Sequence, residues 1–103
     1  MTPVIVLTSV GADFDAASMA RELVEARLAA CVNVVTGVQS VYRWEGRVAD
    51  DAEKLLVIKT ADERVLDLQA LLFRLHPYEV PEFIVLSIEE IRGPYLDWLT
   101  ASL

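Results

Sequence analysis

The chain contains a single cysteine and a single histidine among its 103 residues. The lone cysteine, Cys31, cannot form an intrachain disulfide, so nothing ties the fold to an oxidising compartment. The lone histidine, His76, excludes a multi-histidine metal centre within one copy. Positive charge is also scarce. Nine Lys and Arg against 16 Asp and Glu give a net charge of −7 and a pI near 4.5. Such a surface repels phosphate backbones, which argues against a nucleic-acid partner. No run of like charge exceeds two residues, so there is no charged tail. The start of the chain lacks a basic region, and Val4 to Leu7 is too short for a signal core or a membrane span. The reading is a cytoplasmic, soluble protein with no membrane partner. Nucleotide-loop, zinc-protease, CxxC and GxSxG motifs are all missing.

What the chain has in excess is apolar side chains, 54% of residues. A domain of this length buries roughly 65% of the surface its unfolded chain exposes. One domain, 1–103, is expected, with more apolar surface than its own interior can hide.

Periodicity divides the chain into strands and helices. Residues 4–10 form a β-branched apolar strand ended by Gly11. Asp13 or Asp15 can cap a helix over 16–28, where Met19, Ala20, Leu23, Val24 and Leu28 recur at helical spacing. Residues 31–45 return to strand character, with Gly37 marking a bulge. Glu45-Gly46-Arg47 is a turn, and a second arm runs from Glu53 to Thr60, giving a long hairpin. A helix over 62–75, capped by Asp62, stops at His76-Pro77. Pro77 and Pro81 stiffen the connection to a strand over 83–88. Gly93-Pro94 opens a C-terminal helix. The order β-α-β-β-α-β plus a helix is the split βαβ, ferredoxin-like pattern of an α+β domain.

Right-handed crossovers put both main helices on one sheet face. The strands should then alternate apolar and polar. Instead Val4 to Leu7, Leu55 to Ile58 and Phe83 to Leu86 are apolar at both parities. The second face therefore calls for another copy, since the short terminal helix covers only part of it; the alternative is that this helix and the long hairpin fold back and cover it all within one chain.

Few residues suggest chemistry. Cys31, at a strand start, reads as a small buried hydrophobe, with a reactive thiol as the alternative. His76 either caps the end of its helix or joins Tyr78, Glu79 and Glu82 in a mixed N/O cation site. Tyr42 and Trp44 share one sheet face, with Arg43 and Glu45 on the other. They are packing groups, the aromatic wall of a ligand pocket, or both at a subunit boundary. Lys59 either pairs with Glu53 or Glu82 or serves as the anion-binding group of a cleft.

Five segments in order carry a family resemblance. They are Ala26-Arg27-Leu28-Ala29-Ala30-Cys31-Val32-Asn33, Ser40-Val41-Tyr42-Arg43-Trp44-Glu45-Gly46, Ile58-Lys59-Thr60, His76-Pro77-Tyr78-Glu79-Val80-Pro81-Glu82 and Tyr95-Leu96-Asp97-Trp98-Leu99. The chain closely resembles the CutA divalent-cation-tolerance family over nearly its whole length. The resemblance implies a homotrimer with an architecture similar to PII signalling proteins, in which each long hairpin embraces a neighbour. It implies tolerance of copper and other divalent cations without enzymatic activity. It places Tyr42, Trp44, Lys59, Tyr78 and Trp98 as ligand-binding residues, and His76 and Glu82 as metal ligands, around a cleft between subunits. Some members carry a cysteine and a second histidine where this chain has Thr8 and Leu75. Without those soft and imidazole ligands, a Cu²⁺ ion is expected to bind weakly. The expected function is a non-enzymatic trimeric module that binds a metal ion or small polar ligand and passes that state to a protein partner. The alternative is a structural trimer that scaffolds a partner without a ligand. An enzyme using Lys59, Glu82 and Tyr78 is a third reading, against which stands the lack of an evident nucleophile–base pair.

Overall fold

The alternation of burial along the first strand sets the layout. In the computed structural model, which describes residues 1–103, β1 (Pro3–Gly11) buries Val4, Val6, Thr8 and Val10 and leaves the residues between them half-buried. The buried set faces α1 (Ala16–Glu25) and, after the hairpin, α2 (Val65–Leu75). With Leu56 and Ile58 of the hairpin, the core closes on Met19 and Leu23 of α1 and on Leu68 and Leu72 of α2. The hairpin itself is β2 (Cys31–Trp44) and β3 (Arg47–Ala61), and the last strand is β4 (Ile84–Ser87). The four strands form one antiparallel sheet in the order β2-β3-β1-β4. This is the ferredoxin-like arrangement that the element order implied.

Several boundaries differ from expectation. α1 ends at Glu25, three residues early, because Arg27 takes a left-handed conformation (φ 58°) and the Leu28 N–H bonds back to the Leu23 carbonyl. That closure needs no glycine here, so nothing in the sequence announced it. Asp15, not Asp13, caps α1 by accepting from the Ser18 N–H. Asp62 caps nothing with its side chain. Residues Asp62–Arg64 form a single 3₁₀ turn that leads into α2. β3 begins at Arg47, well before Glu53. Its polar start pairs residue by residue with the outer half of β2, from Gln39↔Ala52 to Trp44↔Arg47. Polar residues are tolerated there because this part of the ribbon lies beyond the core.

The projecting ribbon shapes the molecule. Its extents are 44 × 26 × 23 Å and its radius of gyration is 14.3 Å, against about 13 Å for a compact domain of this length. Two local features control the ribbon. At the bulge, the register jumps between Val35 and Val38, with Gly37 at φ 74°. One extra residue reverses the side-chain parity of β2. Ser40, Tyr42 and Trp44 thereby fall on the same face as Asp51 and Glu53. At the tip, Glu45 and Gly46 both have positive φ (51° and 78°) between the paired Trp44 and Arg47. That is the two-residue turn whose twist matches the strands, and it normally takes Asn-Gly.

The final element, α3 (Gly93–Ala101), starts with Pro94 in its first turn as expected. It contacts β1 and β3, and its Tyr95 ring lies 5.7 Å from the Lys59 ammonium. Lys59 alternates with the buried Ile58 and Thr60, so α3 covers one end of the sheet face opposite α1 and α2. The rest of that face stays open. Val35, Ile84 and Leu86 are exposed on it, beside the half-buried Ile5, Leu7, Leu55 and Val57.

Glu45 holds a conformation that costs a side-chain-bearing residue about 1–2 kcal/mol and that Asn tolerates better. Glu45→Asn should therefore raise stability by roughly 0.5–1 kcal/mol. Chemical denaturation monitored by circular dichroism reads this directly. An unchanged or lower midpoint would show that the tip is not under this strain.

Candidate functional site

The Pro-rich connection between α2 and β4 runs past the free end of β1 and walls a cavity on the open sheet face. Its volume is about 560 Å³, and it is lined by Ser9, Ser40, Tyr42, Trp44 and Glu53 from the sheet and by Pro77, Tyr78, Glu79, Val80 and Glu82 from the connection. Strand alternation supplies the first group. The second is delivered by His76, whose extended backbone ends α2.

His76 is buried and fixes the connection in place. Its Nε2–H donates to the Ser9 carbonyl of β1 at 2.9 Å, and its Nδ1 accepts from the Tyr78 N–H at 3.1 Å. A carbonyl can only accept and an amide N–H can only donate, so these partners define one neutral tautomer. Burial pushes the imidazole below its ordinary value. The Ser9 carbonyl and the Glu53 carboxylate oppose that shift without cancelling it. The ring does not bond the free carbonyls of α2, as helix capping would require. It clamps the loop to the sheet edge.

The Tyr78 ring packs against His76, with centroids 4.9 Å apart. Its hydroxyl donates to Glu53 Oε2 at 2.5 Å. Burial first, then the Glu53 hydrogen bond and its charge, raise the phenol well above its usual value. Tyr78 therefore stays protonated and remains a donor. Glu53 is only 7% exposed, midway along a strand. Tyr42 makes a parallel pair on the ribbon, donating to the Asp51 carboxylate, and that hydrogen bond raises its phenol too. Glu82 lines the same cavity, and its Oε2 is buried without a hydrogen-bond partner.

Of the residues expected to form one site, the structure gathers Tyr42, Trp44, Tyr78 and Glu82 around the cavity, with His76 behind them. It does not bring in Lys59 or Trp98. Lys59 lies six positions along β3 from Glu53, roughly 20 Å at strand spacing. Lys59 pairs with neither Glu53 nor Glu82, and stands over Tyr95, whose ring packs against Trp98 at 5.3 Å. Glu53, Ser9 and Ser40 belong to the cavity and were not anticipated as site residues. The available signal for Glu53 was a carboxylate at the same parity as Leu55 and Val57.

The metal expectation meets a specific obstacle. Both ring nitrogens of His76 already have partners, and no three His, Cys, Asp or Glu side chains converge anywhere in the chain. Thr8 is buried in the core with an unpartnered hydroxyl, and Leu75 packs against that core. A single copy thus has no donor set that fits a resident metal ion. Cys31 is half-buried, with its sulfur 3.9 Å from the Asn33 side-chain oxygen, and lies outside the cavity.

The sheet order, the bulged ribbon and the clamped connection can be set beside known proteins. The family described as "CutA1 divalent ion tolerance protein" matches residues 4–102. The chain belongs to this family. It is 47% identical over 95 residues to the divalent-cation tolerance protein CutA of Thermus thermophilus, covering 92% of each chain. It is 45% identical over 84 residues to the chloroplastic CutA protein of Arabidopsis thaliana, covering 82% of this chain and 46% of that one. The chain spans about half the length of most of the animal and plant CutA relatives it matches. Against the crystal structure of CutA1 from Oryza sativa the TM-score is 0.94 at 39% identity, covering 99% of this chain and 94% of that one. A CutA structure from Archaeoglobus fulgidus is named periplasmic. The CutA family name describes tolerance of ions and no reaction. No helix of the chain is long and apolar enough to cross a membrane.

The His76 clamp has a pH signature. Folding depresses the imidazole, so as pH falls the unfolded chain takes up the proton first. Its contribution to stability is complete above about pH 6.5 and is lost as pH drops below that value toward the folded one. The wild-type melting temperature should fall between pH 7.5 and 5.5. His76→Gln, whose amide can serve both partners, should start lower but fall less over that interval. Equal slopes would remove His76 as the source.

Proposed function

We propose that this protein is a non-enzymatic homotrimer of divalent-cation tolerance that holds a small polar ligand or metal ion at clefts between subunits. It would pass that bound state to a protein partner. The observation that supports assembly is the open sheet face. Val35, Ile84 and Leu86 are exposed there, beside β1 and β3, whose opposite face buries Val6, Leu56 and Ile58. The ribbon adds to this, with Val41 64%, Val48 67% and Trp44 51% exposed in one copy. An isolated two-stranded ribbon is marginal in water, so a neighbour is needed to hold it.

The cleft reading follows from the split of the expected residues. The acidic, aromatic cavity and the Lys59–Tyr95–Trp98 cluster lie too far apart to meet within one copy, and a neighbouring copy can join them. The absence of a nucleophile–base pair supports a role other than catalysis. A cytoplasmic location is our reading for this chain, resting on its lone cysteine, and the family's names show that location varies between members. A scaffold trimer without a ligand is the second reading, favoured if the cavity proves inert.

Two measurements test the proposal. Light scattering coupled to size exclusion should give three times 11.5 kDa, and a monodisperse monomer at low micromolar concentration would overturn it. Trp44→Ala should then make the melting temperature depend on protein concentration, because assembly favours the folded state by mass action. Full burial of Trp44 in the assembly would make that loss roughly 3–5 kcal/mol.

Copper should bind weakly. His76 can offer a lone pair only by breaking its bond from the Tyr78 N–H or by losing the Nε2 proton that it donates to the Ser9 carbonyl, so we expect a Kd of about 1 μM or weaker, a binding free energy near 8.2 kcal/mol at most. Titration calorimetry should show that His76→Ala weakens it further. Equal affinity in the variant would exclude His76 as the main ligand.

A further inference from the structure

The cavity is better suited to an organic cation than to a metal ion. Its rings are Tyr42, Trp44 and Tyr78, its charged groups are Glu53, Glu79 and Glu82, and no Lys, Arg or His lines it. The carboxylates do not converge as metal ligands must. Glu82 Oε2 is buried and accepts no hydrogen bond, an acceptor left without a donor. Glu53 accepts from Tyr78 through Oε2 alone. Separated carboxylates match separated ammonium groups, each able to donate charge-assisted hydrogen bonds. Aromatic faces attract such cations, and the methylenes between them pack on the same rings. The volume, about 560 Å³, falls within the range of small-molecule sites.

We propose that this cavity binds a primary alkylammonium group, presented by a linear di- or triamine, with one ammonium donating to the Glu82 carboxylate, whose sealed Oε2 must turn outward to share in the bond, and the alkyl chain lying against Trp44 and Tyr42. This deepens the ligand-binding reading above and rests on it, but it does not require three subunits. The same chemistry has a second source, the Lys59 ammonium of a neighbouring copy, and the experiment separates the two.

The probes are 1,4-diaminobutane and spermidine, titrated calorimetrically into the 103-residue chain at low salt, with the mass of the same sample measured by light scattering. Saturable binding at one per chain is expected. Glu82→Gln, which keeps the shape of the side chain, should weaken it about tenfold or more, the scale of a charge-assisted bond. Trp44→Leu should weaken it less. The exposed Glu89→Gln should leave it unchanged, as should competing Mg²⁺ at equal charge. Heat that appears only in Lys59→Gln identifies the neighbour's lysine as the occupant and supports the ammonium site. No saturable heat in either protein overturns the proposal, as does equal weakening by Glu82→Gln and Glu89→Gln, which would mean general attraction to an acidic surface. A monomeric mass with intact binding would defeat the trimer alone.

Discussion

Val6 and Leu7 are neighbours on β1 that face opposite ways. Val6 is sealed beneath α1 and α2, while Leu7 looks onto a face that the chain leaves largely uncovered. The same division runs through Ile58 and Val57 on β3. A sheet of this order has its crossover helices on one side only, and apolar residues at both parities commit it to a second cover. α3 supplies a fraction of that cover at the Lys59 end. Most other features follow from the remainder: the open face, the ribbon that reaches past the core, and a cavity at the margin of both.

The position of the cavity depends on one inserted residue. Without the bulge at Gly37, the alternation that puts Cys31 and Asn33 on the open face would carry Tyr42 and Trp44 to the opposite side. The bulge returns them to the face of Asp51 and Glu53, where the Tyr42 hydroxyl finds its carboxylate. The opposite wall depends on His76. Its two hydrogen bonds hold Tyr78 where the phenol can satisfy the otherwise isolated Glu53. A buried carboxylate that loses its donor costs about 1–3 kcal/mol or more. The clamp, the phenol and the carboxylate therefore stabilise one another in sequence, from sheet edge to cavity floor.

The fold was largely legible in the sequence, because periodicity, Gly37, the Glu45-Gly46 turn and Pro94 each carry a local signal with a physical cause. The misplaced boundaries share a different character. Arg27 adopts a left-handed conformation that composition does not mark, and the polar start of β3 resembles a loop until its pairing with β2 is known. The site was legible only in part. Tyr42, Trp44, Tyr78 and Glu82 were found together, but Glu53 was read as a salt-bridge partner because its true partner, Tyr78, lies 25 residues away in sequence. Lys59 was grouped with the others by the family resemblance, at a cleft between subunits; within one copy β3 carries it to the other end of the sheet, beside Tyr95.

The tip of the ribbon adds a constraint on any covering neighbour. Val41 and Val48 lie on one face of the ribbon, paired with Asp50 and Arg43, while Tyr42 and Trp44 lie on the other. Both faces thus carry exposed apolar groups beyond the reach of the core. A neighbour that covered only the open sheet face would leave Val41 and Val48 in water. Burying all four requires contact on both sides of the ribbon, which an arm lying flat across a surface cannot provide. On the proposed assembly the arm must therefore fit between elements of other copies. The aromatic side would then form part of a cleft, and the valine side would supply the contact that holds the cleft closed.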